Sequence, residues 1–204
     1  LKQRLKNFNY YHFSTGNYIY LPGFDIINKK ENKINEEFRK INNLVKKILL
    51  SADKEKESIV LIGARYALFL NQTYFDNKEG GIERKEWGGK FVHRNNINIK
   101  WQDGFKNSIE ELLINKNIRV ILLYPIPEVG FDIYSRLISY KIFSNILLDT
   151  SFDVFKKRTK SSFEFLDSIQ GKNIYRIYPH KLFCNTTIKD RCVTYDKDSL
   201  FYYD

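Results

Sequence analysis

The chain has 204 residues, of which 43% are hydrophobic and 16% aromatic, and its formal net charge is +10. This composition predicts a folded domain with a sizeable core, and no apolar run approaches the ~20 residues that a membrane span needs. The lysines are scattered over every segment and form no basic stripe interleaved with aromatics. A lysine-rich surface is therefore favoured over nucleic-acid binding.

The two ends of the chain carry further information. There is no Met in the sequence, which begins with Leu1, and no signal peptide is visible. A natural start needs an initiator Met unless processing removes it. We therefore expect residues 1–204 to be a single domain, cut at both ends, from a longer protein.

The first elements are predicted from residue type and spacing. Leu1–Phe8 is typical of the end of a helix, and Asn9–Leu21 predicts a strand interrupted by a tight loop at Ser14–Asn17. An extended segment then ends at Pro22 and Gly23. His12 is expected to pack within the strand rather than to act as a base.

A helix and a strand follow. Ile34–Leu50 places apolar residues four and three apart on one face, which predicts a helix. Ser58–Ala64 is a short apolar run typical of a buried strand. Arg65 comes directly after that strand, where it is a candidate for contact with an anion or a substrate. A surface salt bridge is an equally good interpretation of Arg65.

The irregular portion Tyr66–Trp101 predicts a long excursion that forms one wall of a cleft, with Trp87 and Trp101 as its anchors. Gly104–Asn117 then has apolar residues at helical spacing. Ile118–Glu128 (IRVILLYPIPE) is a buried strand that its prolines end, because proline removes ladder donors.

The last part of the chain predicts two helices and one strand before the cysteine loop. Their ranges are Phe131–Phe143, Phe152–Ile169 and Asn173–Tyr178. Strands and helices thus alternate, and right-handed crossovers place helices on the faces of a mainly parallel sheet. The predicted fold class is α/β, a three-layer α/β/α sandwich.

Cys184 and Cys192 are the only cysteines, and they flank a polar loop. They fit either a local disulfide, which suits an oxidising compartment, or two buried thiols. A zinc site is disfavoured because His180 is the only nearby histidine and no second cysteine pair exists. We expect neither a metal nor another cofactor.

An ordered set of motifs resembles the SGNH-hydrolase domains that are fused to acyltransferase-3 membrane proteins. IVLIGARYALFL resembles the family's strand ending in Ala-Arg-aromatic, and VILLYPIPEVGFDI its Pro-x-Pro-Glu strand end. YPHKLFCNTTIKDRCVTYDKDSLFYYD resembles the family's Cys…Cys loop and the tyrosine-rich strand that ends in Asp-x-x-His. The resemblance covers nearly the whole chain in the right order.

The resemblance implies a Ser-His-Asp mechanism and assigns candidate residues to it. Asp204 matches the Asp of Asp-x-x-His, so its histidine partner would follow it, and the Gly-Asp-Ser nucleophile block would precede Leu1. Gly16 matches the oxyanion glycine better than Ser14 matches any family role. Arg65 stands near the position where the family commonly has an Asn donor. The chain by itself is therefore expected to be inactive.

The resemblance further implies the extracytoplasmic domain of an O-acyltransferase, facing the periplasm and tethered to a membrane domain that delivers the acyl donor. The acceptor would be a cell-envelope polysaccharide such as lipopolysaccharide O-antigen. A carbohydrate esterase of the SGNH type is one alternative, and a non-catalytic α/β domain that binds a glycan or a partner is another.

Two structural expectations complete the resemblance. In an extracytoplasmic domain Cys184 and Cys192 form a disulfide. Gly16, Arg65 and Asp204 all follow strands, so they should meet at one rim of the sheet, within the ~10–15 Å that a ligand pocket spans.

Overall fold

A computed structural model of the chain describes residues 11–13, 19–52, 55–83, 87–133, 135, 136, 138, 148–196, 199 and 200. Its centre is a parallel sheet with the strand order β2-β4-β6, formed by Ser58–Ile62, Ile118–Leu123 and Ile174–Ile177. These strands lie within the three predicted ones, and the predicted α/β class with a parallel sheet is confirmed.

The remaining described strands form antiparallel pairs. β1 pairs with β3, β5 with β7, and β8 with β9. Their ranges are Phe24–Asn28 (β1), Gly89–His93 (β3), Asp149–Ser151 (β5), Arg191–Val193 (β7), Tyr195–Asp196 (β8) and Ser199–Leu200 (β9).

Five helices have defined bounds. These are Glu36–Leu50 (α1), Tyr66–Asn71 (α2), Trp101–Leu113 (α3), Phe152–Asp167 (α4) and His180–Phe183 (α5). Residues 133, 135, 136 and 138, within the helix predicted at Phe131–Phe143, are also helical. None of the described helices is long and apolar enough to cross a membrane.

Helix α1 begins where its sequence supplies a cap. The side chain of Asn35 accepts a hydrogen bond from the Phe38 amide at 2.9 Å, and Glu36 and Glu37 occupy the first turn, where the helix dipole favours acidic residues. Lys47 lies in the last turn. The helix thus starts two residues after the predicted Ile34 and ends as predicted.

The segment before α1 differs from the prediction. Residues 11–13 are not in a strand and His12 is exposed, so the prediction that His12 packs within a strand is wrong. The described strand of this region begins at Phe24, after the Pro22-Gly23 turn that was expected to end the extended segment. Its partner β3 lies in the irregular portion of the sequence.

Helix α3 begins at Trp101 rather than at the predicted Gly104. Lys100 is still extended, and Gly104 already donates its amide to the Lys100 carbonyl at 3.1 Å. A Cβ at Gly104 would collide with the ring of Phe24. This glycine therefore allows the helix to approach β1 closely, and it does not mark a helix start.

The core lies between the parallel sheet and the described helices. It joins Val120 and Leu122 of the sheet to Phe38 of α1, Ile109 of α3 and Leu166 of α4. Aromatic rings fill the end of the core nearest the irregular portion. The ring centroids of contacting pairs among Phe69, Trp87, Phe91 and Trp101 lie 5.2 to 6.3 Å apart. These contacts confirm both tryptophans as anchors of the irregular portion.

The opposite face of the parallel sheet is uncovered in the part of the chain that the structure describes. The strands alternate, so that one set of side chains faces the core and the other set faces away. The large apolar residues exposed on that second set are Ile59, Leu61, Tyr175 and Ile177.

Candidate functional site

The candidate site lies at the carboxyl edge of the parallel sheet, where α/β proteins commonly bind ligands. Strand β2 leads through Gly63 and Ala64 to Arg65, which precedes α2. The neighbouring strand β4 leads through Tyr124 into the Pro125–Asp132 segment, called here the rim loop. Two adjacent parallel strands therefore direct Arg65 and the rim loop to the same place.

A second segment, residues 74–83, is docked against the rim loop by the side chain of Asn77. Its amide nitrogen donates to the Val129 carbonyl at 3.1 Å, and its oxygen accepts from the Gly81 amide at 2.8 Å. Gly130 has a φ of +75°, and a Cβ at that position would collide with the Gly81 carbonyl. The two backbones thus meet at glycines, and the irregular portion does form a wall of the site.

Arg65 is held at this edge by two carboxylates. Its Nε donates to Oε1 of Glu128 at 3.0 Å, and its Nη2 contacts Glu128 and donates to both oxygens of Glu83, at 3.0 and 2.9 Å. Nη1 makes no hydrogen bond within the described part of the chain. Of the two interpretations of Arg65, the salt bridge is thus observed, while one nitrogen stays available for a ligand.

A second arginine, Arg158, binds the same carboxylate of Glu128 that Arg65 binds. Arg158 of α4, whose side chain is 9% exposed, donates from Nε to Oε2 of Glu128 at 3.1 Å and from Nη2 to the Thr73 carbonyl at 2.7 Å. Burial alone would lower the pKa of Arg65, but hydrogen bonds and charge from Glu83 and Glu128 outweigh it and raise that pKa above its ordinary value. Arg65 is therefore a permanent cation within a compensated network.

These groups line a cleft of about 450 Å³. Its charged lining consists of Arg65, Glu83, Glu128 and Asp132, and its apolar lining includes Ile82, Ile126 and Phe131. A volume of this size lies within the range of small-molecule sites, ~300–1,000 Å³. The combination of donors, acceptors and apolar walls can bind a ligand that is partly polar and partly apolar.

Two of the three histidines, His93 and His180, make structural contacts with neighbouring backbone and aromatic rings. His93 accepts the Asn96 amide at 3.0 Å through Nδ1 and packs edge-on against Phe24. His180 lies among the rings of Phe155 and Phe163, and burial lowers its pKa. Neither contact arrangement is that of a histidine that activates a serine. In the described part of the chain, no group of three His, Cys, Asp or Glu side chains could hold a metal ion.

Only one of the three predicted site residues lies in the part of the chain that the structure describes. Arg65 lies at the predicted rim, whereas Gly16 and Asp204, like Ser14, fall outside the described residues. The sequence placed Glu128 at the end of the predicted strand Ile118–Glu128 and gave it no role. Glu83 and Arg158 were missed, because one lies in the irregular portion and the other on a charged helix.

Cys184 and Cys192 form a disulfide, as predicted. A family model described as "SGNH domain (fused to AT3 domains)" matches residues 2–204. The chain belongs to this family. Comparison with curated proteins and with solved structures gave no match.

Membership in the SGNH family agrees with the architecture. The parallel sheet with its helices is that of an α/β sandwich, and the rim loop and Arg65 lie at its carboxyl edge. The family match includes Gly16, Arg65 and Asp204 without giving a role to any of them.

Proposed function

We propose that this chain is the SGNH domain of an O-acyltransferase that acylates, most simply acetylates, hydroxyl groups of a cell-envelope polysaccharide. The observation that carries the proposal is the family match over residues 2–204 to SGNH domains fused to AT3 domains. The cleft at the carboxyl edge of the sheet supports it, because this edge is where an α/β fold gathers its binding loops.

The proposed chemistry is acyl transfer in two steps. A serine hydroxyl, deprotonated by a histidine, attacks the acyl carbonyl of a donor and releases the donor's leaving group, which takes up that proton. A sugar hydroxyl then attacks the acyl-serine, passes its proton to the histidine and leaves as the ester, and the histidine returns that proton to the serine oxygen. The donor would be delivered by a membrane acyltransferase domain.

Three residues of this chain have proposed roles. Asp204 orients the histidine and stabilises its cation, and Gly16 offers a backbone amide to the oxyanion. Arg65 supplies Nη1, which makes no hydrogen bond to the residues that the structure describes, at the rim. The serine and the histidine are predicted to lie upstream of Leu1 and downstream of Asp204.

The proposed location is the extracytoplasmic side of a membrane. Its support is the disulfide between Cys184 and Cys192, because disulfides persist in oxidising compartments and are rare in the cytosol. The polysaccharide acceptor would be reached on the same side.

The test is an Asp204→Asn substitution in the full-length protein. The variant should incorporate isotope-labelled acetate into envelope polysaccharide about 10³–10⁴-fold more slowly, since an amide in place of the orienting carboxylate stabilises the wrong histidine tautomer. The rate is measured on polysaccharide isolated from cells that express either protein. Asp153→Asn is the matched control, because Asp153 is an exposed carboxylate paired with Lys156 on α4.

Two results would contradict the proposal in different ways. An unchanged rate in the Asp204→Asn variant would remove Asp204 from the mechanism. Loss of acetyl groups from the polysaccharide when the protein is expressed, in place of a gain, would identify an esterase.

A further inference from the structure

We infer that the cleft between the rim loop and residues 82–83 is a subsite for an uncharged sugar ring, and that its carboxylates exclude acidic sugars. The inference rests on the proposed function, because the ring would belong to the acceptor polysaccharide. The inference states where in the protein that ring binds and which acceptors are preferred, namely those with an uncharged sugar at this position.

The residues that line the cleft carry a net charge opposite in sign to that of the whole chain. One guanidinium and three carboxylates line it, those of Arg65, Glu83, Glu128 and Asp132, and Arg158 behind Glu128 adds a second cation. The guanidinium of Arg136, 5.1 Å from the centroid of the Phe131 ring, is a third cation beside the cleft. The residues that line the cleft themselves carry one positive and three negative charges, whereas the chain as a whole carries +10. An anionic ligand in the cleft would meet three carboxylates within its lining, which costs binding free energy.

The cationic charge of Arg65 is not free to bind an anion. Glu83 and Glu128 already accept from its Nε and Nη2, so the attraction that the guanidinium offers to a further anion is largely cancelled. What remains is Nη1, which can donate to a neutral oxygen. Each carboxylate oxygen can accept more than one hydrogen bond.

Donors and acceptors therefore lie side by side on one wall of the cleft. A hydroxyl group both donates and accepts, so neighbouring hydroxyls of a sugar can bind Arg65 and Glu83 together. A ligand carboxylate has no proton to donate at neutral pH and cannot use the acceptors. The polar wall thus suits uncharged hydroxyls.

Apolar side chains complete the site. Ile82 and Ile126 are 57% and 43% exposed, and Phe131 is half-buried. The C–H face of a sugar ring can cover such side chains and remove apolar area from water. One ring would then use both walls, hydroxyls on the charged side and C–H groups on the apolar side.

The experiment measures binding of matched sugar pairs to the full-length protein by ligand-observed NMR titration. The probes are the methyl glycosides of glucose, galactose and mannose and the corresponding uronic acids. We expect at least one neutral glycoside to bind, and its acidic counterpart to bind on the order of tenfold more weakly at low salt.

Two variants separate the contributions of charge and apolar contact. Glu83→Gln removes one carboxylate and keeps its shape, and it should reduce the preference for the neutral sugar about two- to threefold. Ile82→Ala should weaken both members of a pair by the same factor and leave their ratio unchanged. Glu111→Gln is the matched control, because Glu111 is a comparably exposed carboxylate paired with Lys46 away from the cleft, and it should change neither value.

Three outcomes would overturn the inference. They are the absence of binding by all six probes, equal binding of both members of every pair, and a Glu83→Gln variant with an unaltered ratio. If acetyl transfer to polysaccharide is observed while any of these holds, the subsite fails and the proposed function stands. If the predicted ratios are found without acetyl transfer, the proposed function fails and the subsite stands.

Discussion

Asp25 shows how a single buried carboxylate joins elements that are distant in sequence. It accepts two hydrogen bonds from Arg39 of α1, at 2.8 and 2.6 Å, and one from Nε of Arg94 at 3.0 Å. The hydrogen bond from Arg39 is the largest effect on its pKa, and together with Arg94 it outweighs burial and lowers that pKa below the ordinary value. Asp25 therefore ties β1 to α1 and to the end of β3.

Because Asp25 is charged in the folded protein, the free energy of unfolding should depend on pH in the acidic range. Its pKa is lower in the folded than in the unfolded chain, so its contribution is fully present above the unfolded value near ~3.9 and is lost as pH falls through the folded value. Asp25→Asn should lower the free energy of unfolding by about 2–3 kcal/mol at pH 7, and this loss should shrink as the pH falls below the unfolded pKa of ~3.9. Urea unfolding across this pH range measures both quantities.

An exposed carboxylate serves as the control for Asp25. Asp153→Asn should change the free energy of unfolding much less than Asp25→Asn does at pH 7, because ion pairs on the surface contribute little. An Asp25→Asn variant that remains equally destabilised from pH 7 to pH 2 would show that lost packing, and not lost charge, is responsible.

At the scale of elements, the disulfide joins the end of helix α5 to strand β7. Cys184 directly follows α5, and Cys192 lies in β7, where it is paired with Thr150 of β5. Both cysteines are buried beside Phe155. The bond thus joins the end of one short helix to a strand held by its neighbour.

Removal of the disulfide should destabilise the domain. Closing so short a loop is worth about 2–3 kcal/mol in the chain-entropy model, so the Cys184→Ala, Cys192→Ala double variant should unfold more easily in urea by that amount. A reducing agent should destabilise the natural protein and leave the double variant unaffected. Equal unfolding midpoints for the two proteins in the absence of reductant would refute this expectation.

The elements that the sequence predicted are those whose signal is local. β2 and β4 are apolar runs, and α1 has an apolar stripe with acids at its start, so a short window suffices for each. β1 was missed because its partner β3 lies more than sixty residues away, and no local pattern reports that pairing. The start of α3 was misplaced because the close approach of Phe24 to Gly104 is likewise a long-range contact.

The sequence likewise predicted only the local part of the candidate site. Arg65 and the rim loop could be placed at one edge because parallel strands share a direction. The partners of Arg65 could not be predicted. Glu83 comes from the irregular portion, and Glu128 also binds Arg158, which comes from the distant helix α4. A charged residue on a helix is usually solvated, and burial against a rim loop is visible only in three dimensions.

At the scale of the whole molecule, the parallel sheet divides the domain into two unlike sides. Every described helix that enters the main core packs on one face, through residues such as Phe38, Leu68, Ile109 and Leu166. The other face carries apolar side chains open to solvent in the described part of the chain. The sequence predicted helices on the sheet faces, and the described residues supply one of those layers.

A matched pair of leucines tests this arrangement. Leu61 and Leu122 occupy neighbouring parallel strands but point to opposite faces, and they are 58% and 0% exposed. Leu122→Ala should lower the free energy of unfolding of the 204-residue chain by about 2–5 kcal/mol, because it leaves a cavity in the core. Leu61→Ala should cost less than about 1 kcal/mol, since most of its side chain is already in water. Urea unfolding of both variants gives the difference directly, and an equal loss would mean that residues outside the described ones cover the face of the sheet that carries Leu61.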